Sequence, residues 1–496
     1  MNLKHTLSAA LALIMAASAF AACGSQSSDA PAASTTAPSG GDQVIAEETT
    51  TIIQNDLPED LRFDGETINI WYFTLNSDVS ESFIDMAGEQ SGDVVEDAIY
   101  NRNLKCEERL GVKLNFVDTG VASSDTGTAI RKLIMAGSTD YDFYNVVQWN
   151  TAKYVTEGLF LNLENAPYID VEKPWWSTEY MNEINIGNSN RFFICGDIDI
   201  DMIRCIGCMY FNKQLYANYF GNPDDQYQLV LDGKWTLDAL YENVAASYAD
   251  LNGDNAPDPK DQYGLLLNNY NNCDIIFFGL GMRTTGRDDN GEPILVLNTE
   301  RNAGAMEAMY HLIMENDGTR LGDPLPNTQD FNDGLSMYLM GFLYSSELLR
   351  DMPQDYGIIP SVKLNEEQES YYSVVHDIAT LQCVPTTCTD KLEAVCAVLE
   401  EMAYDSYISV TPAYYETALK TKYTRDNLSS QIVDLLHDTA MTDIAYVYGD
   451  NFNSLGYTGR NMIQNKKSDL ASWYASKEKS ALKNMQKLID KYNELG

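Results

Sequence analysis

Residues 112–117 read Val-Lys-Leu-Asn-Phe-Val, and their alternation of apolar and polar side chains predicts a β-strand with one buried face. The strand follows a helical pattern at 94–110, which stops at Gly111, the residue type that most often ends a helix. The same region contains two β-rich runs, at 68–73 and 141–147, and one further helical pattern, at 128–136. Strands and helices that alternate in this way predict a parallel sheet with helices on both faces, so the predicted fold class is α/β.

The predicted sheet also indicates where a ligand would bind. Open α/β sheets bind their ligands beyond the carboxyl ends of the strands. Residues 71–76 cover the carboxyl end of the first of these strands and the residues after it, and residues 148–150 follow the third. We therefore expect both segments to lie near a cleft.

Two helices are predicted further along the chain. Residues 235–238 read Trp-Thr-Leu-Asp, in which Thr236 is suited to cap a helix N-terminus. Residues 467–496 place their apolar side chains on one face among lysines, which predicts a helix packed against the core.

Length and charge narrow the class of protein. The chain has 496 residues, too many for one compact core, so two or more lobes are expected. Apolar residues make up 44% and aromatic residues 11%, which excludes wholesale disorder. With 33 basic against 73 acidic residues, the net charge of −40 repels phosphate backbones, so nucleic acid is not expected as a partner. We expect a monomer that needs no organic cofactor.

The first 22 residues have the pattern of a secretory signal. Lys4 and His5 precede an apolar run too short to span a membrane comfortably, and small residues follow before Cys23. The ending Ala-Ala-Cys-Gly is similar to the lipobox of bacterial lipoproteins, in which the cysteine is acylated; ordinary cleavage nearby is the alternative. Residues 23–60 begin with Ser, Ala, Thr, Gly and Pro and predict a flexible tether. We therefore expect a chain anchored to the outer face of the bacterial cell membrane through Cys23.

Eight cysteines follow Cys23 and are spread thinly over a long chain. This density is not that of a disulfide scaffold. Cys205 and Cys208 have the spacing of a redox or zinc pair, but the chain contains no second such pair and only four His. Buried free thiols are the favoured interpretation, and disulfide pairing is left open.

One loop has the ligand spacing of a calcium site. Within residues 250–261 the oxygen donors occupy EF-hand positions 1, 3, 5, 7, 9 and 12: Asp250, Asn252, Asp254, Ala256 through its carbonyl, Asp258 and Asp261. Asn255 stands where the EF-hand has glycine, and asparagine also adopts left-handed backbone angles. The loop therefore predicts a structural Ca²⁺, with a solvated acidic turn as the alternative. A melting temperature that is unchanged by a chelator would contradict the calcium.

Enzymatic function finds little support in the sequence. A glycoside hydrolase needs two carboxylates that flank the scissile bond, and no pair stands out among 73 acidic residues. The chain lacks a Gly-x-Ser-x-Gly elbow, a Gly-rich phosphate loop and a His-Glu-x-x-His motif. We therefore expect no catalytic residues, and a secreted carbohydrate-active enzyme is the second choice.

Four short segments, in order and spacing, resemble a known family: 110–115 (Leu-Gly-Val-Lys-Leu-Asn), 158–163 (Gly-Leu-Phe-Leu-Asn-Leu), 209–215 (Met-Tyr-Phe-Asn-Lys-Gln-Leu) and 235–240 (Trp-Thr-Leu-Asp-Ala-Leu). The chain resembles the extracellular solute-binding proteins of carbohydrate ABC importers, which include maltose-binding protein. The resemblance implies a class II periplasmic-binding-protein fold, with two α/β lobes, hinge crossovers and a cleft between them. It implies a first lobe of 61–203 plus 337–375 and a second of 204–336 plus 376–496.

The resemblance also implies a function. Such a protein would close on a carbohydrate, of which an oligosaccharide is the favoured form, and deliver it to an ABC transporter permease without changing it. A peptide or another polar solute is the alternative within the same architecture.

A sugar site needs polar side chains for hydroxyl groups and aromatic rings for the flat CH faces. Trp149 and Asn150 follow a predicted strand, and Trp176 belongs to a Trp pair of which one member is expected in the core. Residues 194–203 are predicted to form a strand that places alternate aspartates on one side, which an exposed polar face would also explain. The expected ligand contacts are Trp149, Asn150, Trp176, Asp199, Asp201, Arg204, Tyr270, Asn271, Asn272, Asp274, Tyr344, Ser345, His376 and Asp377. For His376 and Asp377, a packed hinge pair is the alternative.

Overall fold

Three of the four strands of the first sheet lie in segments predicted to be strands: 68–73, 112–117 and 141–147. The structure is a computed structural model that describes residues 53–73, 86–187, 190–415 and 427–495. The signal at 1–22, Cys23, the tether up to residue 52 and residues 74–76 lie outside the described residues. The described residues from Asn55 onward pack into one compact unit.

The strands of the described residues are, in chain order, β1 (Glu66–Tyr72), β2 (Val112–Asp118), β3 (Phe143–Val147), β4 (Gly207–Asn212), β5 (Tyr263–Leu267), β6 (Thr285–Arg287), β7 (Pro293–Leu295), β8 (Thr319–Leu321), β9 (Ser336–Phe342), β10 (Tyr356–Ile359), β11 (Ser373–Val374), β12 (Thr380–Cys383) and β13 (Ala440–Met441).

The α-helices of the same residues are α1 (Val94–Leu110), α2 (Thr126–Met135), α3 (Gln148–Thr151), α4 (Thr178–Ile184), α5 (Asp201–Arg204), α6 (Lys213–Tyr219), α7 (Asp224–Leu231), α8 (Leu237–Ser247), α9 (Asn271–Gly279), α10 (Glu300–Tyr310), α11 (Pro324–Asn332), α12 (Ser345–Leu348), α13 (Leu392–Asp405), α14 (Thr411–Tyr414), α15 (Asn427–Asp438), α16 (Ile444–Val447), α17 (Thr458–Gln464), α18 (Leu470–Ala475) and α19 (Glu478–Leu495). None of these helices has the length and apolar character needed to span a membrane.

Two sheets divide the strands between them. The first has the order β12-β3-β1-β2, in which β1 is parallel to β2 and β3, and β12 is antiparallel to β3. The second has the order β10-β4-β9-β5-β8, with β5 parallel to both neighbours and β4 antiparallel to both. Every residue of β3 and β9 is buried, as expected for strands covered on both faces. The molecule therefore has the predicted α/β class and two lobes.

Among the described residues, three crossover segments lie side by side between the sheets. β11 pairs in parallel with β13, and Ile206 forms an antiparallel bridge with Val375. The His376 amide donates to the Cys205 carbonyl over 2.8 Å. The chain thus passes between the lobes near residues 204–207, 373–379 and 439–443.

The sheet membership differs from the lobe limits implied by the resemblance. Those limits placed 337–375 in the first lobe and 376–496 in the second. Instead β9 and β10 belong to the second sheet, and β12 belongs to the first. A mostly apolar strand such as β9 indicates that it is buried but does not indicate its partner, since pairing is decided by long-range contacts.

The local predictions that rested on a residue at a helix end agree with the structure. Gly111 ends α1 with the left-handed φ of 62°, and Thr236 accepts the Ala239 amide at the start of α8. The predicted helix at 467–496 is instead two helices, α18 and α19, separated by a turn. All eight described cysteines are buried and free, which confirms the thiol interpretation.

The predicted strand at 194–203 is wrong. Only isolated bridges form there, at Ile194 and Gly196, and Asp201 begins the short helix α5. Gly196 packs directly on the chain of the Trp pair, because a Cβ at this position would lie 2.2 Å from the Trp175 carbonyl oxygen. The chain turns after that contact, with the Asp199 amide bonded to the Gly196 carbonyl, and the aspartates therefore do not share one exposed face.

Candidate functional site

A cavity of about 950 Å³ lies between the two sheets. The first sheet contributes Trp149 on α3, directly after β3, and a turn at 123–125 that follows β2 contributes serines. The second sheet contributes residues 268–272 after β5 and 322–328 after β8. The cavity therefore lies beyond the carboxyl ends of the parallel strands, where α/β sheets bind ligands.

Aromatic rings form part of the wall. The Trp149 side chain is 36% exposed and that of Tyr270 is 51% exposed, so both present ring surface to the cavity. Tyr344 stacks on Phe342 with ring centres 5.5 Å apart. Flat rings that keep exposed area suit the CH faces of a carbohydrate or other apolar ring surfaces.

Amides form the polar part of the wall around the start of α9. The Asn268 Oδ1 accepts the amides of Tyr270 and Asn272 over 2.9 and 3.2 Å, and its Nδ2 donates to Asn271 Oδ1 over 2.8 Å. Asn271 Nδ2 lies 2.5 Å from His376 Nε2 on the second crossover. This contact joins the second sheet directly to a crossover.

A buried ion cluster lies at the base of the cavity. Arg460 on α17 is 4% exposed, and its guanidinium contacts the carboxylates of Asp274 and Asp377. Burial opposes ionisation of Asp377, but Arg460 and His376 outweigh it and hold the pKa of Asp377 well below its usual range. For Asp274 burial outweighs Arg460, and its pKa is raised to about 6.

Eight of the fourteen residues expected to contact a ligand line the cavity: Trp149, Tyr270, Asn271, Asn272, Tyr344, Ser345, His376 and Asp377. His376 also meets the alternative that was left open for it, because its Nδ1 lies 2.9 Å from Asp377 Oδ1 within the crossover. Direct contact of these eight residues with a ligand stays a prediction.

The structure places the other six outside the cavity wall, and three of them support the first lobe. Asn150 accepts the Thr126 hydroxyl and donates to the Ser123 carbonyl, which fixes the serine turn beside the cavity. Trp176 donates its ring N–H to the buried carboxylate of Glu400 over 2.9 Å and belongs to the core. Asp199 accepts the side chains of Asn145 and Thr380 over 2.8 Å each.

The remaining three are buried near the crossovers. Asp201 is fully buried with no hydrogen-bond partner for either carboxylate oxygen, and burial raises its pKa well above the usual range. Arg204 forms a two-bond ion pair with Glu347, over 3.0 and 2.9 Å. Asp274 contacts Arg460 from behind the wall. The sequence shows that these three residues are charged, but it does not show that the fold buries them away from the cavity.

The sequence reasoning missed the segment 454–461. Ser454, Tyr457, Arg460 and Asn461 all line the cavity, although they follow β5 by nearly two hundred residues of chain. The one available signal was Arg460 itself, a basic residue beside Gly and Tyr in a chain that has few basic residues. Only the packing of α17 against α9 brings this segment to the site.

In the candidate calcium loop, Asn255 has the left-handed backbone angle that was expected of it. Asn255 has a φ of 57°, and the Asp250 carboxylate accepts the amides of Gly253 and Asn255 over 2.6 and 2.8 Å. Backbone hydrogen bonds from these two residues lower the pKa of Asp250. Among the described residues, however, no group of three or more His, Cys, Asp or Glu side chains is placed to hold a metal ion. The calcium ion stays a prediction.

No protein-family model and no curated protein matches this sequence. Among solved structures, a cyclo/maltodextrin-binding protein in complex with maltotetraose is 12% identical with a TM-score of 0.56, covering 86% of this chain and 98% of its own. An ABC-transporter solute-binding protein from Thermotoga lettingae, bound with alpha-D-tagatose, is 11% identical with a TM-score of 0.54, covering 85% and 100%. An ABC substrate-binding protein from Listeria monocytogenes, in complex with cycloalternan, is 12% identical with a TM-score of 0.51, covering 87% and 99%. These likenesses confirm the architecture expected from the sequence: the chain has the two-lobed α/β fold of ABC-transporter solute-binding proteins.

Proposed function

We propose that the chain is a solute-binding protein that captures a carbohydrate between its lobes and delivers it to an ABC transporter permease. The observation that carries the proposal is the cavity of about 950 Å³, whose wall comes from both sheets and from a crossover. Small-molecule sites typically measure about 300–1,000 Å³, so this one is at the large end of the range. An oligosaccharide is therefore the favoured solute.

The chemistry of the wall supports a carbohydrate. Trp149 and Tyr270 offer exposed ring faces, and Asn269 and Asn461, which are not buried, offer amide groups that both donate and accept hydrogen bonds. Hydroxyl groups have the same dual character, so amides can match them in either direction. A peptide remains the alternative solute, because amides and aromatic rings also suit a polypeptide backbone.

Closure of the lobes would couple binding to delivery. A solute that contacts Trp149 from the first lobe and Tyr270 from the second gains both contacts only in the closed form. Binding then shifts the population toward closure, by as much as the difference in affinity between the two forms. The permease would recognise that closed form.

A glycoside hydrolase is the second candidate, and the cavity wall argues against it. Among the described residues that line the cavity, the carboxylates are Asp323 and Asp377. A hydrolase needs one carboxyl group that is protonated at neutral pH beside the leaving oxygen. Arg460 and His376 keep the pKa of Asp377 low despite its burial, so this carboxylate is not a proton donor.

A calorimetric screen of neutral oligosaccharides separates these functions. We expect saturable binding at one site and, after recovery from the mixture, sugars whose reducing ends have not increased in number. Newly formed reducing ends would support the hydrolase. Binding of peptides but of no sugar would support the alternative solute.

The anchor is a separate part of the proposal and rests on the sequence before residue 53. We propose that the mature protein begins at Cys23, carries an acyl group there and is held at the outer face of the membrane as a monomer. Mass spectrometry of the N-terminal peptide of the native protein should show that it begins at Cys23 and carries lipid. A mature terminus without lipid would contradict the anchor and leave the binding function intact.

A further inference from the structure

The Arg460 side chain is fixed on almost every side. Its Nη2 donates to Asp377 Oδ2 over 2.9 Å and to the Tyr446 hydroxyl over 3.0 Å, and its Nε donates to Asp274. The guanidinium carbon lies 4.5 Å from the ring centre of Tyr270 and 4.6 Å from that of Tyr457. Hydrogen bonds therefore hold one edge of the guanidinium group, and aromatic rings pack against it.

One nitrogen of the Arg460 guanidinium group makes no internal hydrogen bond within the part of the chain that the structure describes. Nη1 has no hydrogen-bond partner among the described residues, and it is not one of the fully enclosed polar atoms that lack a partner. Arg460 lines the cavity, so its remaining N–H donors are available to a solute there. A donor that is already oriented loses little conformational entropy when it binds.

The charge of Arg460 is already cancelled. Arg460 is the only Arg or Lys among the described residues that line the cavity. Its guanidinium group contacts two carboxylates, Asp274 and Asp377. With both carboxylates ionised, the three groups sum to one negative charge. Asp323 adds another carboxylate to the wall. An anionic group on a solute would therefore lose its hydration without gaining an unpaired cation.

We infer that Arg460 is a specificity-determining residue, which donates from Nη1 to hydroxyl oxygens of an uncharged solute, while Asp274 and Asp377 exclude solutes that carry a carboxylate, sulfate or phosphate at this position. The inference rests on the proposed function and narrows its substrate class to neutral carbohydrates. Asp274 and Asp377 act through Arg460, since they set its orientation and cancel its charge.

The test compares one neutral oligosaccharide from the screen with the same oligosaccharide oxidised to the uronic acid at its terminal residue. We expect the wild-type protein to bind the neutral sugar at least about tenfold more tightly, because the charge repulsion in a partly buried site is of that order. In Asp274→Asn one negative charge is removed, and the neutral-to-anionic affinity ratio should fall severalfold. Asp469→Asn, a change on the exposed cap of α18, is the control and should leave the ratio unchanged.

A second variant, Arg460→Lys, tests the inference independently in case Asp274→Asn does not fold. Arg460→Lys keeps the positive charge but replaces the fork with a single ammonium group, so affinity for the neutral sugar should fall about tenfold if Nη1 is the donor. Equal wild-type affinity for both sugars would overturn the inference while leaving the proposed function standing. An unchanged neutral affinity in Arg460→Lys would also overturn it. If neither sugar binds, the proposed function fails, and the inference fails with it.

Discussion

Asp443→Ala is expected to lower the free energy of unfolding by about 4 kcal/mol, the largest stability effect that we predict for a single side chain in this protein. Asp443 is fully buried between β13 and α16. Its Oδ2 accepts the amides of Thr284 and Thr285 over 2.8 and 3.0 Å. Its Oδ1 accepts the Thr285 hydroxyl over 2.7 Å and the Ala445 amide over 2.8 Å.

The size of the effect follows from what the substitution leaves behind. Alanine removes four acceptor contacts at once, and three backbone N–H groups then remain buried without a partner. Each unsatisfied group costs about 1–3 kcal/mol. The carboxylate also ties Thr284 and Thr285, at the start of β6, to the third crossover, so its loss should loosen the hinge as well.

Denaturant unfolding of Asp443→Ala and of Asp469→Ala provides the measurement and its control. Asp469 also caps a helix, by accepting the Ser472 amide over 3.0 Å, but its carboxylate is exposed. Its loss should cost much less than the loss of the Asp443 carboxylate, because water can satisfy the freed Ser472 amide. If the two variants lose equal stability, the buried carboxylate does not have the role assigned to it here.

Trp149→Ala is expected to weaken binding of the preferred oligosaccharide about thirtyfold, equivalent to about 2 kcal/mol. The ring is the aromatic surface that the first lobe offers to the cavity, and it keeps 36% of its area exposed. Its position is fixed by its neighbour, because Gln148 Nε2 donates to the His376 carbonyl over 2.8 Å. Removal of the ring should therefore remove a stacking surface without releasing the short helix that carries it.

Calorimetric titration of Trp149→Ala, Trp149→Phe and Trp473→Ala would measure this effect. Phenylalanine keeps a smaller stacking surface and should recover most of the lost affinity. Trp473 lies on α18, outside the cavity wall, and its removal should leave affinity unchanged. Wild-type affinity in Trp149→Ala would show that the solute does not stack on this ring.

Residues whose role is set by near neighbours in the chain could be predicted from the sequence. The alternation in β2, the left-handed stop at Gly111 and the cap at Thr236 each depend on contacts within a few residues. The position of Trp149 followed from a topological rule, since a residue after a buried parallel strand lies at the binding edge of the sheet. These predictions required no knowledge of distant partners.

Residues whose role depends on distant partners could not be predicted. Arg460 contacts Asp274 across 186 positions of sequence and Asp377 across 83, and no periodicity relates such positions. Asp199 and Asp201 belong to an alternating run of aspartates before Arg204 that indicated a ligand. Asp199 and Arg204 are satisfied by internal partners, and Asp201 is enclosed without a hydrogen-bond partner among the described residues.

The sequence by itself determined the α/β class, many of the local helices and strands, and eight residues of the cavity wall, because short-range sterics and hydrophobic periodicity act on neighbouring residues. Tertiary structure alone decided that β9 and β10 join the second sheet, that β12 returns to the first, and that α17 brings Arg460 to the cavity. The sequence pattern of a buried apolar strand does not indicate which other strand it will pair with. The pairing that is realised depends on how the whole chain packs, which no single segment encodes.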